Sequence, residues 1–399
     1  MIGSVVSSRK RSQRLWTAIA IVLLALNLRP VVVALSPLLD TISSELKLTS
    51  LMAGFLVTLP VLCFGVLGPI APVLARRWGM ERTLAAVLVA MVLGSALRLH
   101  PSVPALFLGT LLVGAAIALG NILLPGLIKR DFADRIGLMS GLYTMSLAGG
   151  ATLAAGITVP VAQAAGWDWN VALAAWGLFV LLALLVWLPQ LRGVAGRDAL
   201  SRPPATSLSR DWVAWCVTLF LGLQSFNFYA TTAWLPTILI AAGYDTLVAG
   251  GMLSLVNLVS IAPALLVPML LARLRSQAAF AAWLTLMYIV PFCGFLLAID
   301  FALIWSVLLG IAQGGGLALA LTLLVLRAPD SDHATALSRM AQSWGYILAA
   351  AGPLLIGAVR DITLGWAMPI LLLLVLLLPQ GLFGYLAGRP AMVGRIDDD

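Results

Sequence analysis

The sequence predicts an all-α membrane protein whose twelve transmembrane helices form two pseudo-symmetric six-helix bundles. Three observations carry this prediction. Apolar runs long enough to cross a bilayer recur a dozen times, basic residues fall almost wholly on alternate loops, and landmarks of the first half return in the second at a near-constant offset. With 61% hydrophobic and 10% charged residues and a mean hydropathy of +1.04, the chain is far too apolar for a soluble domain of 399 residues.

A bilayer is crossed by roughly 17–25 apolar residues in a helix. In chain order the runs cover 16–39, 51–75, 83–97, 104–128, 136–165, 170–188, 212–240, 246–272, 278–298, 301–326, 340–359 and 366–387. The first follows Arg9, Lys10, Arg11 and Arg14, as a signal peptide would, but it is too long for a signal core and carries Arg29. It is read as an uncleaved first helix. Of the 24 basic residues, 20 lie at the N-terminus, the C-terminus and alternate loops, including Arg76, Arg77, Arg82, Arg130, Arg197, Arg202, Arg273, Arg327 and Arg395. Only Lys47, Arg98 and Arg360 fall on the opposite side, each at or beyond the end of an apolar run. The positive-inside rule therefore places both termini in the cytoplasm, which twelve spans satisfy. For a bacterial chain the membrane is the inner one.

The net charge of +8 is distributed in loop-sized groups, which excludes a basic nucleic-acid face. Cys63, Cys216 and Cys293 stand singly in separate spans and read as packing residues. His100 and His333 fall on opposite sides of the membrane, so neither a catalytic triad nor a metal cluster can be assembled, and no cofactor is expected. Gly149-Gly150, Gly314 to Gly316, and Gly65 with Gly68 lack the strand-to-helix setting of phosphate loops and suit close helix packing or hinges.

Arg29 is the one charge inside an apolar run. A guanidinium at the bilayer centre costs about 2.5–3.5 kcal/mol on insertion scales, so such a residue faces a bundle interior or a water-filled cavity. All sixteen acids lie in loops or at span ends. Arg29 could be held by helix-end carbonyls purely for packing. With no protein anion beside it, it is suited to a ligand anion or an electron-rich acceptor.

The repeat pairs Pro37 with Pro236, Ala75-Arg76 with Ala272-Arg273, Arg130 with Arg327, Met139-Ser140 with Leu337-Ser338, and Gly166-Trp167 with Gly365-Trp366. The halves are 1–189 and 211–399, joined by an Arg/Pro/Ser-rich cytoplasmic linker at 190–210. Between the second and third runs, Pro72-Val-Leu-Ala-Arg76-Arg77-Trp-Gly79-Met-Glu81-Arg82 resembles the Gly-x-x-x-Asp-Arg-x-Gly-x-Arg loop of the major facilitator superfamily. Arg77, Gly79 and Arg82 fit. Pro72 and Arg76 replace the glycine and the aspartate that makes an inter-half charge contact in other members.

More specifically, Leu26-Asn27-Leu28-Arg29-Pro30 with Ser36-Pro37-Leu-Leu-Asp40 resembles the cyanate and 2-nitroimidazole transporter branch. So do the stretch Gly120-Asn121-Ile-Leu-Leu-Pro125-Gly126 with its following Lys129-Arg130-Asp131, and Met340-Ala-Gln342-Ser-Trp-Gly345-Tyr346.

The resemblance implies two parallel repeats with a substrate site at the midplane, lined by the first, fourth, seventh and tenth helices. On those helices stand Asn27, Arg29, Asn121, Gln224, Asn227, Phe228, Tyr229 and Gln313, and Gln342 and Tyr346 share one face of the eleventh. Arg76, Arg77, Gly79 and Arg82 form the conformational loop. The expected function is secondary active transport, by alternating access, of a small anion or a planar, electron-rich organic solute. The alternatives are a proton-coupled multidrug efflux transporter and, outside transport, a receptor or scaffold. Expected partners are the solute, membrane lipid and, as candidate coupling ions, protons; the chain is expected to be a monomer that binds no nucleic acid. No Asp, Glu or His lies within a run to relay protons, and Asp40 and Asp211 are the nearest carboxylates.

Overall fold

The structure, a computed structural model, describes residues 2–193, 208–271 and 273–394. Outside these fall most of the expected linker with Arg197 and Arg202, Ala272 of the repeat, and Arg395. Twelve helices are long and apolar enough to cross a membrane. They are α1 (Arg14–Leu46), α2 (Ser50–Leu67), α3 (Met80–Leu97), α4 (Val103–Ile128), α5 (Gly141–Ala165), α6 (Trp169–Leu191), α7 (Trp212–Ala241), α8 (Thr246–Leu271), α9 (Ala278–Leu297), α10 (Ile299–Leu326), α11 (His333–Thr363) and α12 (Ala367–Ala387). No strand occurs among the described residues.

Polar residues set several helix starts. Thr49, Ser102 and Asp211 accept hydrogen bonds from Met52 N, Ala105 N and Ala214 N at 3.2, 3.4 and 2.8 Å, which satisfies backbone donors the first turn leaves free. Prolines set the breaks. The run expected at 51–75 ends as a helix at Leu67, passes through a 3₁₀ turn at Gly68–Ile70 and resumes as Ala71–Trp78, because the residues at 69 and 72 are prolines without an N–H. In the other direction, the run expected at 340–359 belongs to a 33-residue helix, Ser331–Thr363. The polar turns at its ends hide that length from a hydropathy reading.

Lipid offers no hydrophobic drive between helices, so close packing must hold them. The outer faces are apolar: Leu178, Phe179, Leu182 and Leu185 of α6 and Leu265, Leu266 and Met269 of α8 are exposed. Two seams join the halves. Along α2 and α11, Thr58 Oγ1 donates to Ala350 O at 3.0 Å, and Gly54 lies so close to Pro353 that a Cβ there would sit 2.5 Å from its carbonyl oxygen. Along α5 and α8, Ser254 Oγ donates to Thr152 O at 2.9 Å and Gly250 lies against Ala155. These α5–α8 contacts involve the first turns of α8 and the middle of α5; earlier in α5, Gly149 and Gly141 have nothing within 4 Å. The 3₁₀ turn Ser36–Leu38 packs on α7 and α8.

The end of the α2–α11 seam distal to the termini carries a polar clasp. Asp361, late in α11, accepts from Ser50 N at 3.0 Å and from Leu51 N at 2.8 Å. A carboxylate of the second half thus caps the positive N-terminus of α2 in the first. Asp361→Ala is expected to cost about 0.5–2 kcal/mol of stability, the usual range for a lost N-terminal cap. Hydrogen exchange at residues 50–52 should quicken alongside a lower thermal midpoint, and unchanged exchange there would contradict the clasp.

Arg98 departs from expectation. Placed from sequence at the end of the third run, outside the apolar segments, it is 0% exposed in the structure. Its Nη1 donates to Val31 O at 2.6 Å and its Nη2 to Thr110 Oγ1 at 3.1 Å. Arg29 is therefore not the only guanidinium inside the bundle.

Candidate functional site

The site begins with a break in α1. Regular helix ends at Asn27; Leu28 and Arg29 form a turn, Pro30–Val33 one further helical turn, and Ser36–Leu38 a 3₁₀ turn before Leu39–Leu46 resumes. Pro30 cannot donate to Leu26 O, and Gly150 of α5 nests against that free carbonyl. The break aims the Arg29 side chain between the two halves. Its Nη1 donates to Tyr229 Oη of α7 at 3.5 Å, and its Cζ lies 6.0 Å from the Phe228 ring centroid, within range of a cation–π contact.

Aromatic rings wall the guanidinium. Phe228 and Tyr229 meet edge to face with centroids 5.1 Å apart, and Tyr229 meets Tyr346 of α11 at 6.5 Å. Phe64 of α2 lies 5.7 Å from Tyr346 and 6.4 Å from Tyr229. Tyr143 of α5 is within electrostatic reach of Arg29, and its hydroxyl donates to Asn121 Oδ1 of α4 at 3.4 Å. No carboxylate pairs with Arg29 among the described residues. A partly buried cation with aromatic faces and hydroxyls around it can receive an anion or the acceptor edge of a flat molecule.

The structure thus brings Arg29, Phe228, Tyr229 and Tyr346 together, with Asn121 joined through Tyr143. Of the other amides, all but Gln313 have partners elsewhere. Asn27 donates to Leu23 O at 2.8 Å and Phe179 O at 3.3 Å, and Asn227 to Gln380 Oε1 of α12 at 2.8 Å. Gln224 accepts from Ser225 Oγ at 3.2 Å, beside Gly316, within the second half. Gln313 is buried with its amide nitrogen unpartnered, and Gln342 donates to Ser338 Oγ at 2.9 Å. Phe64 and Tyr143 were missed from sequence. Tyrosine offered a signal, since only six occur in the chain and Tyr143, Tyr229 and Tyr346 all fall within spans.

Arg76 and Arg77, on the short helix Ala71–Trp78, and Arg82, in the first turn of α3, are exposed. Gly79 has φ of 87°, a conformation that L side chains avoid. The neighbouring ion pair uses Glu81 instead: Arg130 Nη2 lies 2.6 Å from Glu81 Oε1, and its Nε 2.7 Å from Asp131 Oδ1. Asp131 and then Glu81, by hydrogen bonding, hold the Arg130 guanidinium above its ordinary pKa. In the second half Arg327 donates to Gln277 Oε1 and, at 2.8 Å, to Ala387 O. The repeat thus replaces an acid by an amide.

Helices from the first and second halves of the chain meet around the Arg29 guanidinium, an arrangement that suits a carrier of solutes across a membrane. Residues 15–353 match the Major Facilitator Superfamily, and the chain belongs to that family. It is 42% identical over 372 residues to the 2-nitroimidazole transporter of Escherichia coli (strain K12), covering 92% of this chain and 94% of that protein. It is 29% identical over 353 residues to the cyanate transport protein CynX of the same organism, covering 88% and 91%. These relatives place it in their branch of the superfamily. Among solved structures, a bacterial homologue of the human lysosomal transporter Spinster, in an inward-facing and occupied conformation, superposes with a TM-score of 0.75 at 14% identity, covering 94% of this chain and 96% of that one. At that identity the likeness concerns the fold.

Proposed function

We propose that the protein is a secondary active transporter of the bacterial inner membrane that moves a small anion or a planar, electron-rich organic solute by alternating access, with Arg29 as the solute's anchor. The observation that carries this reading is a guanidinium with no carboxylate partner among the described residues, presented at a helix break between the halves and walled by Phe228, Tyr229 and Tyr346. The relatives' names nominate cyanate and 2-nitroimidazole as first probes. Uptake of each into proteoliposomes is the test, and a chain that moves neither but moves lipophilic cations would refute the reading.

In this reading the halves 1–189 and 211–399 rock about the site as a monomer, with the termini and the 190–210 linker in the cytoplasm. The distal seam is then periplasmic, and the described state is closed on that side. Reporter fusions after Asp245 or Asp300 should behave as periplasmic; cytoplasmic behaviour of either would overturn the topology.

Coupling needs no buried carboxylate. Asp40 is exposed, and Asp211 caps α7 while accepting from Gly394 N at 2.6 Å. Binding of an anion neutralises the Arg29 cavity and eases closure of the halves, so occupancy drives the rocking electrostatically. Asp40→Asn and Asp211→Asn are expected to retain accumulation driven by a proton gradient wherever the wild type shows it. Loss of accumulation with exchange preserved, in either variant, would assign coupling to that carboxylate.

A further inference from the structure

We propose that Arg98 is a positioning residue for Arg29, holding the broken segment of α1 in the shape that presents the anchor. The inference rests on the reading of Arg29 as anchor, and its structural half stands on separate observations. Within the break, Leu35 N donates to Val32 O at 3.2 Å, a 3₁₀ bond that leaves Val31 O without its usual helical partner. An unsatisfied carbonyl inside a membrane protein is costly. Arg98 supplies the missing donor, with Nη1 2.6 Å from Val31 O. Val31 lies two residues after Arg29 and immediately after Pro30, so the bond falls on the segment that sets where the Arg29 side chain projects.

The surroundings supply acceptors for both Nη atoms, while Nε is buried without a partner. Nη2 of Arg98 donates to Thr110 Oγ1 at 3.1 Å, while that hydroxyl donates to Leu106 O at 2.7 Å within α4. The guanidinium therefore ties α1 to α4, with its own stem at the end of α3. Gly109 makes room for that stem: a Cβ there would lie 2.9 Å from Arg98 Cγ and 2.6 Å from Gly94 O. Arg98 has no carboxylate partner among the described residues and is fully buried. A charge kept only for stability would be better replaced by an apolar side chain of similar volume. Its planar fork, by contrast, reaches two acceptors on different helices from two separate nitrogens in fixed geometry, which lysine's single nitrogen does not reproduce.

The test is hydrogen–deuterium exchange of the full chain in detergent for the wild type, Arg98→Lys, Arg98→Met and Thr110→Val, with binding of 2-nitroimidazole and cyanate measured on the same preparations. Amides in 31–36 are expected to exchange about tenfold faster in Arg98→Met, with Arg98→Lys intermediate and the second half unchanged, and probe affinity to fall about tenfold. Thr110→Val keeps the charge and removes one of its two acceptors, so it carries the test if Arg98→Met does not accumulate. Unchanged exchange at 31–36, or a uniform rise across both halves, overturns the proposal. So does wild-type affinity in Arg98→Met where Arg29→Ala has lost binding. Should Arg29→Ala bind normally, or neither probe bind the wild type, the anchor reading fails on its own and the local exchange pattern decides whether Arg98 holds the segment.

Discussion

Arg29→Ala is expected to abolish solute binding while the protein still inserts and folds. A hydrogen bond to a charged group contributes about 1.5–3 kcal/mol, so losing a two-pronged contact weakens binding by about a hundredfold or more. Arg29→Lys keeps the charge but loses the fork, and an intermediate loss of about tenfold is expected. Stability should move the other way. The guanidinium has one long hydrogen bond, 3.5 Å to Tyr229 Oη, and no carboxylate partner among the described residues. Removing such a desolvated charge is expected to leave the thermal midpoint unchanged or raise it. Titration calorimetry and a thermal melt on one preparation check both halves of this expectation. Wild-type affinity in Arg29→Ala would end the anchor role.

Gly54→Val is expected to stop transport by a different route. The Cβ of any residue at 54 would lie 2.5 Å from Pro353 O, 3.1 Å from Pro353 C and 3.2 Å from Leu354 Cα, all of them backbone atoms of α11. Backbone cannot rotate aside as a side-chain end can, so α2 and α11 must separate. Overpacking of this kind costs about 1–3 kcal/mol, here set against the state in which the distal seam is closed. Pro353 O also accepts from Trp234 Nε1 of α7 at 2.9 Å, so a shift of α11 disturbs that helix as well. Counterflow in proteoliposomes should vanish, and cysteine pairs across the seam should lose their cross-links. Full transport by Gly54→Val would show that the seam does not close in the working cycle.

Much of this protein was legible in its sequence because a bilayer imposes a simple code. A dozen apolar runs, the alternation of basic loops and a recurrence of landmarks at an offset near 198 residues can be read from hydropathy, charge and spacing, none of which needs tertiary contacts. Arg29 was legible for the same reason: a guanidinium in an apolar run has to be given a purpose. Phe228, Tyr229 and Tyr346 could be named as candidates, but their gathering around Arg29 depends on the crossing of α1, α7 and α11, which hydropathy does not encode.

What only the tertiary structure decided is the fate of each polar side chain once helices pack. Asn27 and Asn227 look like cavity residues by their depth in a span, yet their amides turn to Phe179 O and Gln380. Helical position fixes depth and not the direction a neighbour comes from. Arg98 follows an apolar run and so reads as lying at a span end, yet it is buried with its Nη1 donating to Val31 O in the broken α1. Asp361 likewise reads as a loop acid until α11 is set beside the N-terminus of α2. The sequence by itself determined that twelve helices are long and apolar enough to cross the membrane, with a charge inside the first. Which donors meet which acceptors was decided by packing, because a backbone group freed by a proline takes the partner that geometry brings to it, whatever the distance along the chain.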